Sequence, residues 1–178
     1  PMVDTYSIYL KKKIMNIDNC IIEGVKIIEP YVFKDERGFF FESYHQIKYK
    51  ELAKISEQFV QDNHSLSREK FTFRGLHFQK PPFDQSKLVS VKQGSVLDII
   101  LDIRSNSNTY GKIKTVKLDG NDNKSLFISS GFAHGFCSLT NNTILHYRCT
   151  NYRDKNSETG IYWKDKDLNI NWPKNKFY

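Results

Sequence analysis

Cysteine is scarce: of 178 residues only Cys20, Cys137 and Cys149 carry a thiol. They are odd in number and form no C-x-x-C pair, which argues against a disulfide framework and a zinc knuckle and fits a reduced, cytoplasmic setting. Long apolar runs are missing too. Near the start "SIYLKKKIM" has its charges in the middle, and no later stretch approaches the roughly 20 apolar residues of a membrane span. A soluble protein with no membrane partner is expected. Charge of one sign is present without being concentrated: the net charge is +7 and the pI about 9.2, yet the lysines are scattered and no nucleic-acid motif accompanies them. That pattern speaks for small anionic ligands rather than for nucleic acid. No internal repeat and no linker divides the chain.

Aromatic residues are abundant, with 13 Phe, 10 Tyr and 2 Trp, and flat rings favour pleated sheets over helical bundles. The length suits one domain able to bury most of its apolar surface unaided. Residues 1–19 are weakly patterned and read as an N-terminal arm or a leftover of cloning; residues 20–178 read as a single domain. From Gly24 the chain gives a strand closed by Pro30, a Lys-Asp-Glu-Arg-Gly turn and a second strand. "QIKYKELAKIS", residues 46–56, predicts an amphipathic helix with Ile47, Leu52 and Ile55 on its apolar side. After it, short apolar runs recur between turn signals about every 8–12 residues, the signature of a β-sandwich or barrel. "VSVKQGSVLDIILDI" predicts a hairpin turning at Gln93-Gly94. The tail from Lys164, punctuated by Trp172-Pro173, is expected to wrap the outside.

The residues that could carry chemistry sit in this β-region. In "FRGLHFQ" strict alternation puts Arg74, Leu76 and Phe78 on one face and Gly75, His77 and Gln79 on the other. His77 could then enter a barrel interior, although by itself it reads equally well as a buried histidine satisfied by a backbone carbonyl. "SSGFAHGF" sets His134 between two glycines that would let backbone approach a ligand. In "TILHYRCT", Tyr147 faces opposite to His146 and Arg148, and alone it reads as core. "FVQDNHS" clusters Gln61, Asp62, Asn63 and His64, for which turn capping is the plain explanation.

Together these stretches say more. "DERGFFFES", "FVQDNHS", "RGLHFQ", a lone Lys87 followed by Leu-Val, "DIILDIR", "GFAHGF" and "YRCTNY", in that order, closely resemble the dTDP-4-dehydrorhamnose 3,5-epimerase family of cupin-type nucleotide-sugar enzymes. The resemblance covers about residues 24–173. It implies an all-β cupin or jelly-roll antiparallel barrel with one or two short peripheral helices. It also implies a homodimer with exchanged strands whose sites borrow residues from the partner, and it calls for no cofactor and no metal. By position in the motifs, His77 falls on the general base and Tyr147 on the general acid. Lys87, Arg74 and His134 fall on residues around the sugar and diphosphate; Arg37, Glu42, Gln61, Asn63 and Glu158 fall on further substrate contacts.

The residue types suit the implied reaction. Hydrogens at C3 and C5 of a 4-keto sugar are acidified by the carbonyl, so a neutral imidazole can remove one if the enolate oxygen is stabilised, a task for Lys87. Inversion needs a proton from the opposite side of the ring, which a phenol can deliver. Arg37 and Arg74 can recognise a diphosphate in bidentate fashion.

Two departures from the family pattern stand out. After Trp172-Pro173 the family carries a Lys-Asp pair whose aspartate partners the catalytic histidine, and residues 174–178 contain no aspartate. Either the tail is cut short or another carboxylate substitutes. Asp98 and Asp102, four apart on one strand face, are candidates to orient His134 or His77, with strand-end capping as their plain alternative. Where a second tyrosine follows "NY" in the family, this chain has Arg153, which could stack on or pair with a purine. A GDP-linked 4-keto heptose therefore stands beside a dTDP-linked 4-keto-6-deoxyglucose as substrate. Three other readings remain: a keto-isomerase on the same barrel, a sugar-binding module without catalysis, and a metal-dependent cupin using His64, His77 and His134. Against the last, metal cupins usually supply an H-x-H pair and "GLHFQK" has one histidine.

Overall fold

A computed structural model describes residues 15–173. Two antiparallel sheets face each other. The six-stranded sheet runs β1 (Met15–Asn19), β2 (Val25–Pro30), β10 (Ser125–Ile128), β7 (Lys87–Gln93), β12 (Thr143–Cys149) and β5 (Gln61–Ser67). The five-stranded sheet runs β13 (Glu158–Gly160), β6 (Phe73–Gln79), β11 (Phe132–Ser138), β8 (Ser95–Asp102) and β9 (Ile113–Asp119). A separate hairpin pairs β3 (Phe33–Asp35) with β4 (Gly38–Phe40), an α-helix, α1, spans Gln46–Leu52, and a single 3-10 turn spans Lys166–Leu168. The all-β barrel with a short helix is the expected architecture. Among the described residues no helix is long and apolar enough to cross a membrane.

Three apolar layers hold it together. Between the sheets lie Val89, Val91 and Leu145 from one side and Val96, Ile100 and Phe136 from the other. Outside the six-stranded sheet, Ile28, Leu88 and Phe127 are covered by Tyr49, Ala53 and Ile55. Outside the five-stranded sheet, Leu76, Ile99, Leu101 and Ala133 are covered by Ile161, Leu168, Ile170 and Trp172, so the tail does wrap the barrel. Because β8 and β11 are covered on both sides they are buried almost throughout, whereas β5, at a sheet edge, alternates in burial residue by residue.

Four expectations need correction. Gln93-Gly94 is not a hairpin turn: β7 pairs with β10 and β12, β8 with β9 and β11, and Gly94, at φ +75°, marks a corner where the chain changes sheets. The helix is shorter than residues 46–56 and turned differently. Tyr49 and Ala53, one turn apart, face the sheet, while Ile47 and Leu52 are 60% and 40% exposed. Ile55 is buried beyond the helix end, its N–H donating to the Tyr49 carbonyl. The N-terminal arm is partly sheet, since Met15–Asn19 pairs with β2 along its whole length; residues 1–14 lie outside the described residues. Finally, the glycines flanking His134 make room for protein rather than for ligand. A Cβ on Gly131 would meet the Arg104 side chain at 2.5 Å, and one on Gly135 would meet the Arg74 carbonyl at 2.7 Å and Gly75 Cα at 3.0 Å.

Candidate active site

The apolar interior fills only part of the barrel. The rest is a cavity of about 720 Å³. Strand β5 presents Gln61, Asn63 and Ser65 to it, β7 presents Lys87, and β12 presents Leu145, Tyr147 and Cys149. From the five-stranded sheet come Arg74, His77, Gln79, His134 and Phe136, with Glu158 beside them and Arg153 from the preceding loop. His77 and Tyr147 thus project from opposite sheets into one space.

Simple alternation would keep Arg74 and His77 on opposite faces, and the structure brings them together. Register explains it: His134 pairs with His77 but Phe136 pairs with Arg74, so two steps along β11 match three along β6. The extra residue is a bulge, which re-aims the side chains after it. Leu76 accordingly points outward into the tail-covered layer. The seam is tight, because a Cβ on Gly75, whose φ is +123°, would lie 2.5 Å from Gly135 Cα.

Most polar groups around the cavity are already bonded. His134 Nε2 lies 2.9 and 3.0 Å from the two oxygens of Asp98, and Asp98 is fully buried. Arg153 donates to Glu158 at 2.8 and 2.7 Å. The Gln61 amide donates to Asn63, and Arg74 donates to Ser67 Oγ and the Leu66 carbonyl. Among the described residues, the side chains of His77, Lys87 and Tyr147 have no hydrogen-bond partner. The three groups suited to moving protons and receiving developing charge are left uncommitted, on a bonded frame.

Their electrostatics suit those tasks. Burial lowers the His77 imidazole below its ordinary 6.5, with Glu158 opposing and Lys87, His134 and Arg153 assisting, so it is neutral at pH 7. Burial lowers Lys87 below 10.5, against the pull of Cys149, Asp98 and Glu158. Burial raises Tyr147 above 10.0, with Cys149 and Glu158 adding to it while Arg153 and Arg74 oppose, which keeps the phenol protonated.

Arg37 and Glu42 are not in this cavity. Arg37 lies at the tip of the β3–β4 hairpin, bonded to Asp35 and 85% exposed, and Glu42 pairs with Lys48. Asp102 orients neither histidine. It binds Arg104, Ser107 and Thr109 at the end of β8, the capping role. Although burial alone would raise it, those bonds hold its carboxyl well below the ordinary range. Asp98 does orient His134. His64 points to the outer face, with its ring against His146, so His64, His77 and His134 cannot converge on one ion. Arg153 lines the cavity and is paired with Glu158. Residues 174–178, where the family's Lys-Asp pair is expected, lie outside the described residues. Ser65 and Cys149 were missed, although each is two residues beyond a recognised cavity residue on its strand. Phe136, Gln85 and Trp163 also line the cavity and had no signal of their own.

The family model for dTDP-4-dehydrorhamnose 3,5-epimerase matches residues 19–177. The chain belongs to this family of epimerases. A dTDP-4-dehydrorhamnose 3,5-epimerase of Shigella flexneri is 46% identical over 159 residues, 89% of this chain and 87% of the relative. One from Escherichia coli K12 is 44% identical over the same share of this chain and 85% of its own. Among solved structures, the Bacillus anthracis enzyme with TDP and PPi bound superposes with a TM-score of 0.88 at 41% identity, covering 91% of this chain and 92% of that one. The Legionella pneumophila enzyme in complex with dTDP-4-keto-L-rhamnose gives 0.86 at 45% identity, covering 91% and 85%. As an epimerase, this chain has to remove and return protons at carbon.

Proposed function

We propose that the protein epimerises a dTDP-linked 4-keto-6-deoxyhexose at C3 and C5 and serves the supply of deoxysugar precursors for surface polysaccharide. One observation carries the reading: a neutral imidazole and a protonated phenol enter the same cavity from opposite sheets. His77 takes the C–H proton on one side of the ring, and the electron pair moves onto the C4 oxygen. Lys87, uncommitted and partly buried, stabilises that enolate oxygen as its charge develops. Tyr147 then gives its proton to the opposite side of the same carbon, inverting it, and the proton on His77 returns through solvent to restore the phenol. Arg74, whose described partners are neutral oxygens, supplies positive charge at the cavity for the diphosphate.

The dTDP-linked substrate is favoured over a GDP-linked one by the names of the relatives and by the pairing of Arg153 with Glu158. The placement of Arg37 and Glu42 favours a homodimer. Both lie in or just after a hairpin whose Phe33, Phe39 and Phe40 are 58–65% exposed, a segment suited to pack on a second copy and complete its site. Three free cysteines fit work in a reducing cytoplasm.

The test is incubation with dTDP- and GDP-linked 4-keto sugars in D₂O, following C3 and C5 protons by NMR. His77→Asn is expected to lose both exchange and inversion by about 10²–10⁴-fold; Tyr147→Phe should keep some exchange while inversion fails. Normal turnover by either variant, or turnover of the GDP sugar alone, would overturn the reading.

A further inference from the structure

Strand β5 supplies Gln61, Asn63 and Ser65 to the cavity, yet among the described residues it is an edge strand paired with β12 alone. On the cavity side Arg74 donates to Ser67 Oγ and the Leu66 carbonyl, the Arg153 backbone N–H donates to Gln61 Oε1, and the Asn63 amide lies 3.9 Å from Cys149 Sγ. A further set of ties is on the outer face. In the register Asn63 stands opposite Tyr147, both facing the cavity, while on either side His64 stands opposite His146 and Asp62 opposite Arg148, all facing out. Asp62 reaches both outer residues of β12: one carboxylate oxygen is 2.5 Å from His146 Nε2 and the other accepts from Arg148 Nε at 3.2 Å. A single carboxylate therefore grips the residue before Tyr147 and the residue after it.

Both gripped residues are anchored elsewhere. His146 Nδ1 lies 3.3 Å from Ser90 Oγ on β7, and the Arg148 guanidinium sits 4.6 Å above the ring of Tyr44, in the segment leading to α1. Among the described residues, nothing hydrogen-bonds the Tyr147 hydroxyl to hold it. Its aim depends on where the β12 backbone lies, and that is fixed from outside at the positions on both sides.

We propose that Asp62 is a positioning residue, which locks edge strand β5 to β12 across the Asn63–Tyr147 pair and so sets where the Tyr147 hydroxyl meets the substrate. This rests on Tyr147 being the proton donor. The bonds are made on the far side of the sheet from the reacting atoms, so Asp62 acts only through the strand. A donor displaced by a fraction of an ångström should slow its own step and leave proton removal by His77 intact.

The test compares wild type, Asp62→Ala, Asp62→Asn, Tyr147→Phe and the Asp62→Ala/Tyr147→Phe double variant. It uses dTDP-4-keto-6-deoxyglucose in D₂O, with inversion and deuterium wash-in measured separately and melting temperature as a check on folding. Asp62→Ala should lower kcat for inversion about ten- to a hundredfold, with KM and wash-in near wild type. Asp62→Asn, which keeps an acceptor, should recover part of the loss. In the Tyr147→Phe background Asp62→Ala should cost nothing more. An unchanged kcat for Asp62→Ala overturns the proposal, as does an equal fall of wash-in and inversion, or a loss as large in the double variant as in the single. If Tyr147→Phe turns over normally, the donor assignment itself fails and this proposal with it.

Discussion

Among the described residues the barrel holds two histidine–aspartate pairs, one inside and one outside. Inside, His134 and Asp98 are 9% and 0% exposed, and among the described residues their side chains bond to each other alone. Outside, His146 is 12% exposed but Asp62 is 54% exposed and is shared with Arg148. The same two side-chain types therefore face opposite demands. The inner pair has been stripped of water, so each group needs the other, and its geometry is fixed by need. The outer carboxylate keeps water as an alternative partner, so its bonds contribute little to stability and can serve alignment instead.

The largest test of that contrast is Asp98→Ala. Leaving His134 without its partner in a dry wall should cost about 1–3 kcal/mol, read by denaturant unfolding. It should also lower kcat/KM about a hundredfold as the ring loses its orientation. A stability loss no greater than that of Asp62→Ala would break the comparison. Next comes Asp102→Ala, on the same strand and equally buried but tied to Arg104, Ser107 and Thr109. It should destabilise by a similar amount and leave kcat unchanged. Because its folded pKa lies below the ordinary 3.8, its charge-dependent stabilisation is present above that value. The advantage of wild type over Asp102→Asn should shrink as pH falls below 3.8.

A smaller effect concerns acid. Burial places both His77 and His146 below 6.5, so below 6.5 the unfolded chain takes up protons before the folded one and stability declines as pH drops. His146→Gln should flatten that slope in melts between neutral and mildly acid pH. The kcat/KM profile of wild type should hold its plateau to somewhat below 6.5, where His77 protonates. The smallest effect is Asp62→Asn on stability, less than about 1 kcal/mol and reduced further by salt; a larger loss would mean that the outer pair resembles the inner one after all.

Much of this was readable from residue order. Alternation in "TILHYRCT" separates Tyr147 from His146 and Arg148, and the structure puts them on opposite faces. The run of motifs marks His77, Lys87, His134, Gln61, Asn63, Arg74 and Glu158, and the departure from the pattern marks Arg153; all of them line one cavity. What escaped depends on information no local pattern holds. That Arg74 joins His77 depends on a bulge set by the neighbouring strand. That β7 and β8 part at Gly94 depends on which distant strands each prefers. Ile47 and Leu52 look like a helix's buried side, but Tyr49 is larger and takes the place against the sheet. Arg37 matches a substrate contact by motif, and only the fold shows that it leans away from its own cavity.

The seam where Gly75 meets Gly135 has an evolutionary consequence. At that spot the catalytic wall is bare main chain against main chain, with no side chain to exchange and no room to add one. Side-chain change in the same cavity is open instead at positions such as Gln61, Ser65 and Gln85, whose tips can be lengthened or trimmed one at a time. The perch of the imidazole, by contrast, can be inherited or lost but not adjusted.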